Sequence, residues 1–485
     1  MGSILKKNQM SSEEIHKNRW IILAIVVLLP LMSSLDSNIV NIAIPTIEAD
    51  LKINMASAEW VVSVYLIIIS ATILLFGRIG DMKSKGLVFI NGIIVFTLGS
   101  LLCGVSINIY FLVASRVVQA IGAGLVMSTN QGIITAVFPV TERGKALGIT
   151  GSAVALGALI GPALGGIIVT YLTWHYIFLI NVPIGIVAYI LARKFIPVNM
   201  STKNEKMDRK GASTFFIAIV FIFSAIMVGQ QIGFNDIYII CAFIVGFIAL
   251  VIFIFVERKE KAPMLDLSLF RNSTFSTNLI CACISFISIN TISIIEPFYL
   301  QDALGYSAFT SAMIMMSYPI VMLVVAPLSG HISDKIGNGK LNTIGILITG
   351  ISIIMLSTLN VDSSILKIVL FLCVLGLANG LFQSPNTSAI MSSVPKNKLG
   401  IAGGTNALIR NVGLAIGVSV STTILYADMS RLAGHKVLGY IPGKPDIFVS
   451  AMKDVYLMVS VLCFIAFVLF IINMIRTKAK KKVLL

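Results

Sequence analysis

The chain has 485 residues, 57% of them hydrophobic and 12% charged, with a mean hydropathy of +0.96; soluble domains carry about a quarter charged residues. That balance excludes a soluble enzyme and a secreted disulfide scaffold. The 36 Lys and Arg against 21 Asp and Glu give +15, but the bases lie between long apolar runs rather than in one patch, so no nucleic-acid partner is expected. A run of about 20 apolar residues crosses a bilayer. In chain order such runs predict spans over 20–43, 57–77, 87–106, 109–138, 145–171, 175–196, 213–230, 236–256, 273–300, 308–330, 341–359, 365–391, 401–426 and 453–475. The lipid bilayer is therefore the first expected partner.

Fourteen spans return the chain to the side on which it starts. If residues 1–19 are cytoplasmic, most Lys and Arg fall on that side, including Arg193, Lys194, Lys203, Lys206, Arg209 and Lys210 in one loop and Arg476, Lys478, Lys480, Lys481 and Lys482 in the tail. That asymmetry obeys the positive-inside rule and predicts both termini in the cytoplasm, with anionic lipid as counter-charge. Trp20, Trp60 and Trp174 mark span ends, where an amphipathic ring prefers the headgroup layer. The first apolar run is too long for a signal-peptide core, so it is kept as a span. All six cysteines lie inside apolar runs and read as packing residues. The expected organisation is a cytoplasmic tail (1–19), an N-terminal six-helix bundle (20–196), two extra helices with cytoplasmic flanks (197–271), a C-terminal six-helix bundle (272–476) and a basic cytoplasmic tail (477–485).

Charged and small residues inside the spans carry the functional signal. The first span holds Leu35-Asp36-Ser37-Asn38-Ile39-Val40-Asn41-Ile42-Ala43-Ile44-Pro45. A charge at such depth costs about 2.5 kcal/mol or more and is kept where it faces a cavity, a partner or a proton path. The next loop reads Gly77-Arg78-Ile79-Gly80-Asp81, and a later one reads Gly330-His331-Ile332-Ser333-Asp334, each followed by bases. The shared Gly-x-Ile-x-Asp pattern at equivalent places marks two parallel six-helix repeats. Such repeats, with a site between them near the midplane, are a transporter architecture. The fourth span holds Arg116-Val117-Val118-Gln119-Ala120-Ile121-Gly122-Ala123-Gly124. Arg116 stays charged and needs a carboxylate, carbonyls or water as partner. The fifth span carries Gly148, Gly157, Gly161, Pro162, Gly165 and Gly166; its Gly-xxx-Gly stripe admits a neighbouring helix and its proline permits a bend. Glu296 is the second acid within a span, and Arg410 the second base; a structural and a functional role stay equally open for Arg410.

These runs resemble the major facilitator superfamily, in particular its fourteen-helix branch of drug:proton antiporters. The resemblance covers nearly the whole chain. The family's loop pattern Gly-x-Leu-x-Asp-Arg-x-Gly-Arg-Arg is matched at Gly77 and Asp81 but replaced by Met82, Ser84 and Gly86 afterwards, while the second copy keeps Asp334, Lys335 and Gly337. The resemblance implies an all-α major facilitator fold, an inner gate at Gly77, Asp81, Gly330 and Asp334, and proton coupling through Asp36 and Arg116; Glu296, as the other acid inside a span, is expected to carry a proton or bind substrate with Asp36. It also implies export by antiport, because importing members tend to lack the run Gly157, Gly161, Pro162, Gly165 and Gly166.

Other chemistries find no support. No P-loop is present, since Asp334 and Leu341 break the pattern around Gly339-Lys340. The four histidines are scattered without zinc spacing, and no nucleophile and base can be paired. No catalytic residue, metal or cofactor is therefore expected. The expected partners are protons and a small-molecule substrate, bound by Asp36, Glu296, Tyr65, Met127, Gln131, Tyr299, Tyr318, Asn379 and Gln383; Phe298, Met315 and Met316 are further candidates to line the cavity. The function expected is proton-coupled export of amphipathic, cationic toxic compounds by a monomer in a bacterial cytoplasmic membrane. The alternative is a lipid or metabolite exporter in which Arg116 and Arg410 hold an anionic headgroup.

Overall fold

A computed structural model of the chain describes residues 12–139, 142–198, 208–260, 263–395 and 399–483. Among the described residues the regular structure is helical, with no strand. Lipid offers no hydrogen bonds, so an isolated span must satisfy its backbone within its own helix. The membrane helices are α1 (Ser12–Leu51), α2 (Trp60–Met82), α3 (Lys85–Gly104), α4 (Ile109–Val137), α5 (Arg143–Tyr171), α6 (Asn181–Phe195), α7 (Arg209–Ile232), α8 (Ile237–Lys259), α9 (Ser273–Phe298), α10 (Ser317–Ile336), α11 (Asn338–Ser357), α12 (Ile365–Ser392), α13 (Leu399–Ala433) and α14 (Pro445–Val483). Each expected span overlaps one of them.

Polar residues start these helices where apolar runs begin. Ser84, Asn108, Asp236, Asn272 and Ser364 accept hydrogen bonds from the first-turn amides of α3, α4, α8, α9 and α12. Three spans are less continuous than expected. Short helices Met55–Ala58, Tyr176–Leu179 and Ala308–Met315 precede α2, α6 and α10. Gly337, at φ +90°, is the single residue between α10 and α11. After Pro297 the end of α9 widens into a π-turn over Tyr299–Ala303. The gap between the last two expected spans contracts to residues 434–444, because α13 and α14 extend into it.

The chain forms two compact units. The first comprises Met1–Ile53, Ser57–Ala225 and Asn235–Leu265; the second comprises Asn54–Ala56, Ile226–Phe234 and Asp266–Leu485. Within α7 the division falls after Ala225, so Ile226–Phe234, with the end of that helix, belongs to the second unit. In the first unit Phe215 of α7 packs on Phe253 of α8 with ring centroids 4.9 Å apart. In the second, Gln230 at the end of α7 donates to the Ser419 carbonyl (2.8 Å) and the Thr423 hydroxyl (2.6 Å) of α13.

Each unit repeats the same contacts. Gly77 meets Ser128 in the first, and Gly330 meets Ser384 in the second. Asn130 of α4 donates to the Val26 carbonyl of α1 at 2.7 Å, and Asn386 of α12 donates to the Asn278 carbonyl of α9 at 3.3 Å. The glycine stripe of α5 lies against α1: a Cβ at Gly157 would come within 2.7 Å of the Leu31 carbonyl, and one at Gly161 within 2.6 Å of the Asn38 side chain. In the second unit Gly413 and Gly417 of α13 press on Cys283, Phe286, Ile287 and Asn290 of α9. Small residues allow such backbone approach.

Candidate functional site

The first unit buries an ion pair. Asp36 of α1 and Arg116 of α4 are both 0% exposed. Arg116 Nη1 donates to Asp36 Oδ2 and to Gln119 Oε1, each at 2.6 Å, and its Nε donates to the Val61 carbonyl of α2 at 2.8 Å. Gln119, one turn along α4, donates through Nε2 to Asp36 Oδ1 at 2.9 Å and to the Ser100 hydroxyl of α3 at 2.8 Å. Asn181, the first residue of α6, donates to the same Asp36 Oδ1 at 2.9 Å. Five helices thus meet in one hydrogen-bond network around this carboxylate. The guanidinium also lies over the Tyr65 ring at 4.2 Å and the Phe178 ring at 5.6 Å, both within cation–π range. Tyr65 shares a 2.8 Å hydrogen bond with Ser33, one turn before Asp36. Removing one partner of such a buried pair typically costs about 3–5 kcal/mol, because the other charge is stranded.

The second unit buries an acid without a base. Glu296 of α9 is 0% exposed, and its Oε2 accepts the Tyr456 hydroxyl of α14 at 2.7 Å. Its Oε1 is buried with no hydrogen-bond partner among the described residues, and no Lys or Arg pairs with the carboxyl there. Ionised, Glu296 is an unpaired charge in a helix core; protonated, it is neutral. The contacts of the glycine stripes also set the register between units. Asn38 meets Gly161 as Asn290 meets Gly417, so the position equivalent to Asp36 is Ser288, and Glu296 lies two turns beyond it. Ser288 contacts the Cys463 sulfur at 3.2 Å.

The profile described as Major Facilitator Superfamily matches residues 26–418, which include Asp36, Arg116, Glu296 and both Gly-x-Ile-x-Asp loops. The chain belongs to the Major Facilitator Superfamily. It is similar to the riboflavin transporter RibZ of Clostridioides difficile, at 34% identity over 95% of this chain and 99% of that one. It is also similar to the multidrug transporter protein MdtP of Bacillus subtilis, at 30% identity over 92% of this chain and 83% of that one. A POT family transporter in complex with a thioalcohol-conjugated peptide shares the fold, with a TM-score of 0.67 at 18% identity, over 91% of this chain and 95% of that one. The protein is therefore a multi-pass membrane transporter acting on small molecules, and not an enzyme.

In this major facilitator the expected substrate ligands fall into two groups. Asp36, Glu296, Tyr65, Tyr299 and Asn379 are buried. Tyr299 donates to the Asn360 carbonyl at 2.7 Å, and Asn379 accepts from Ser285 at 3.1 Å. Met127, Gln131, Tyr318 and Gln383 are half-buried. Gln383 Nε2 has no partner among the described residues, and Tyr318 donates to the Met322 sulfur at 3.4 Å. Phe298 is buried, while Met315 and Met316 are half-buried. An open carboxylate at Asp36 is not what this conformation presents, since all three of its hydrogen bonds go to protein donors. Arg116 commits Nε and Nη1 to Val61, Asp36 and Gln119, while its Nη2 is buried with no partner among the described residues. Arg410 is half-buried.

Of the gate residues, Asp81 pairs with Lys85 one turn on at 2.6 Å, where the family pattern places its bases. Gly77 and Gly330 make the matched contacts described above. The Asp334 side chain lies outside the described residues. Gly157, Gly161, Pro162, Gly165 and Gly166 are buried, and the first, second and fourth of them meet α1. Gln119, Asn181, Ser100, Ser33 and Tyr456 escape a reading by charge because each is a neutral polar group in an apolar run. Glu59 is also absent from that reading, yet it is 0% exposed in the break between Met55–Ala58 and α2.

Proposed function

We propose that the protein is a proton-coupled antiporter that exports amphipathic, cationic compounds across a bacterial cytoplasmic membrane, with both termini in the cytoplasm. The supporting observation is the buried Asp36–Arg116 pair, joined to four helices besides α1. A proton on Asp36 cancels one charge of the pair, weakens its hold on Arg116 and alters the packing of α1 on α4. Glu296, with no base beside it, is the second proton carrier. Substrate contact falls to the half-buried Met127, Gln131, Tyr318 and Gln383, whose thioether, aromatic and amide groups suit a lipophilic cation.

Proteoliposomes carrying the protein, with and without a pH gradient, test this reading. Gradient-dependent efflux of an organic cation is expected from the wild type and not from Asp36→Asn at equal reconstitution. Undiminished gradient-dependent transport by Asp36→Asn would overturn it.

The likeness to RibZ over almost the full length of both chains favours a second reading, in which the substrate is a planar heteroaromatic such as a flavin. Competition between riboflavin and an organic cation in the same liposomes separates the two. Transport of riboflavin alone selects the second.

A further inference from the structure

Asp36 must be satisfied in two protonation states if it carries a proton, and the three groups on it are not equally able to do so. Arg116 only donates. Gln119 is fixed at both ends, because its Oε1 accepts from Arg116 while its Nε2 donates to Asp36 and Ser100. Asn181 is fixed at one end only. Its Nδ2 donates to Asp36 Oδ1 at 2.9 Å, whereas its Oδ1 is buried with no partner among the described residues. Nothing in the cluster therefore opposes a half-turn of the amide about its Cβ–Cγ bond, a torsion with broad, two-fold preferences. That half-turn exchanges the donor for an acceptor at the same place.

Resting on the proton-carrier reading of Asp36, we propose that Asn181 is a positioning residue that reports and stabilises both protonation states of Asp36. With Asp36 ionised, the amide N–H donates to Oδ1. A proton taken from water then binds Oδ1, because Oδ2 faces Arg116, and the turned amide oxygen of Asn181 accepts the new O–H. The amide supplies one hydrogen bond in each state and neither gains nor loses a proton. Asn181 opens α6 directly after the short helix that places Phe178 against Arg116, so the amide's turn is felt at both partners of the ion pair. The other titratable groups facing the carboxyl are Arg116 from α4, Tyr65 from α2 and Cys103 from α3, whose sulfur lies 3.8 Å from Gln119 Oε1. At this level α5 and α6 carry no titratable side chain.

Infrared difference spectra of the purified full-length protein between high and low pH test the inference directly. In the wild type a carboxylic-acid carbonyl band that is absent from Asp36→Asn is expected, together with a side-chain amide band that moves with it. Asn181→Val, which removes donor and acceptor, should abolish the amide change, shift the acid band and slow gradient-driven transport about tenfold, the scale of one lost hydrogen bond to a charged group. Asn181→Thr has nearly the same shape and a hydroxyl that both donates and accepts, so it should restore most of the rate and the hydrogen-bonded acid band. An amide change that survives in Asn181→Val, or an acid band identical in Val and wild type, overturns this inference alone. Absence of any Asp36-dependent acid band at every pH overturns the proton-carrier reading and this inference with it.

Discussion

The two halves of the transporter bury acids in opposite ways. In the first, Asp36 has Arg116, Gln119 and Asn181 on it, and every bond to it comes from another helix. In the second, Glu296 has one hydroxyl and no cation among the described residues. At the places of Arg116 and Gln119, counted from the shared Asn130 and Asn386, the second half has Leu372 and Leu375. One half therefore holds its acid as part of the packing, while the other holds an acid whose charge the packing does not require. A proton on the first should be felt as a structural change; a proton on the second changes charge with little change in contacts.

Six variants sharpen or break that contrast. Arg116→Leu strands Asp36 and should lower stability in detergent by about 3–5 kcal/mol, the cost of unpairing a buried charge. Adding Asp36→Asn should recover most of that loss in a thermal unfolding assay while transport stays absent. A single variant as stable as the wild type would show that the pair does not hold the half together. Gly161→Leu forces a side chain into Asn38 and should cost about 1–3 kcal/mol by overpacking, with transport lost in liposomes; Gly417→Leu, in the equivalent place, should do the same.

Tyr456→Phe removes the hydroxyl from Glu296 and should cost about 0.5–1.5 kcal/mol, read as a modest drop in melting temperature together with a displaced pH dependence of transport. Glu296→Gln keeps an acceptor for Tyr456, so its stability should fall by less than about 1 kcal/mol. Its transport should lose the response to a pH gradient. A large stability loss in Glu296→Gln, comparable to Arg116→Leu, would erase the distinction between the halves.

Much of the fold was legible because burial in lipid demands long apolar runs, and each of the fourteen runs overlaps a helix. Asp36, Arg116 and Glu296 were legible for the same reason: a charge in such a run stands out. Their partners were not. Nothing in the sequence says that Arg116 lies on Asp36 rather than elsewhere, since the two meet only when α4 crosses α1, nor that Asn181 and Gln119 complete the set. The offset between Asp36 and Glu296 was hidden for a related reason. Position within a span is a coarse ruler, and the contacts of Gly161 with Asn38 and of Gly417 with Asn290 show a register displaced by two turns. The breaks before α2, α6 and α10 were hidden because short apolar helices have the composition of the spans they precede.

The amides of Asn130 and Asn386 carry a historical implication. Each ties the fourth helix of its half to a bare carbonyl on the first, although most side chains around them differ between the halves. A chain that arose by doubling a six-helix ancestor would keep whatever both copies needed to fold and let the remainder diverge. On that view the amide tie is ancestral scaffolding, and the Asp36–Arg116 pair is a specialisation of one descendant copy. Grafting Arg and Gln onto Leu372 and Leu375, with Asp at Ser288, would ask whether the other copy still has room for it.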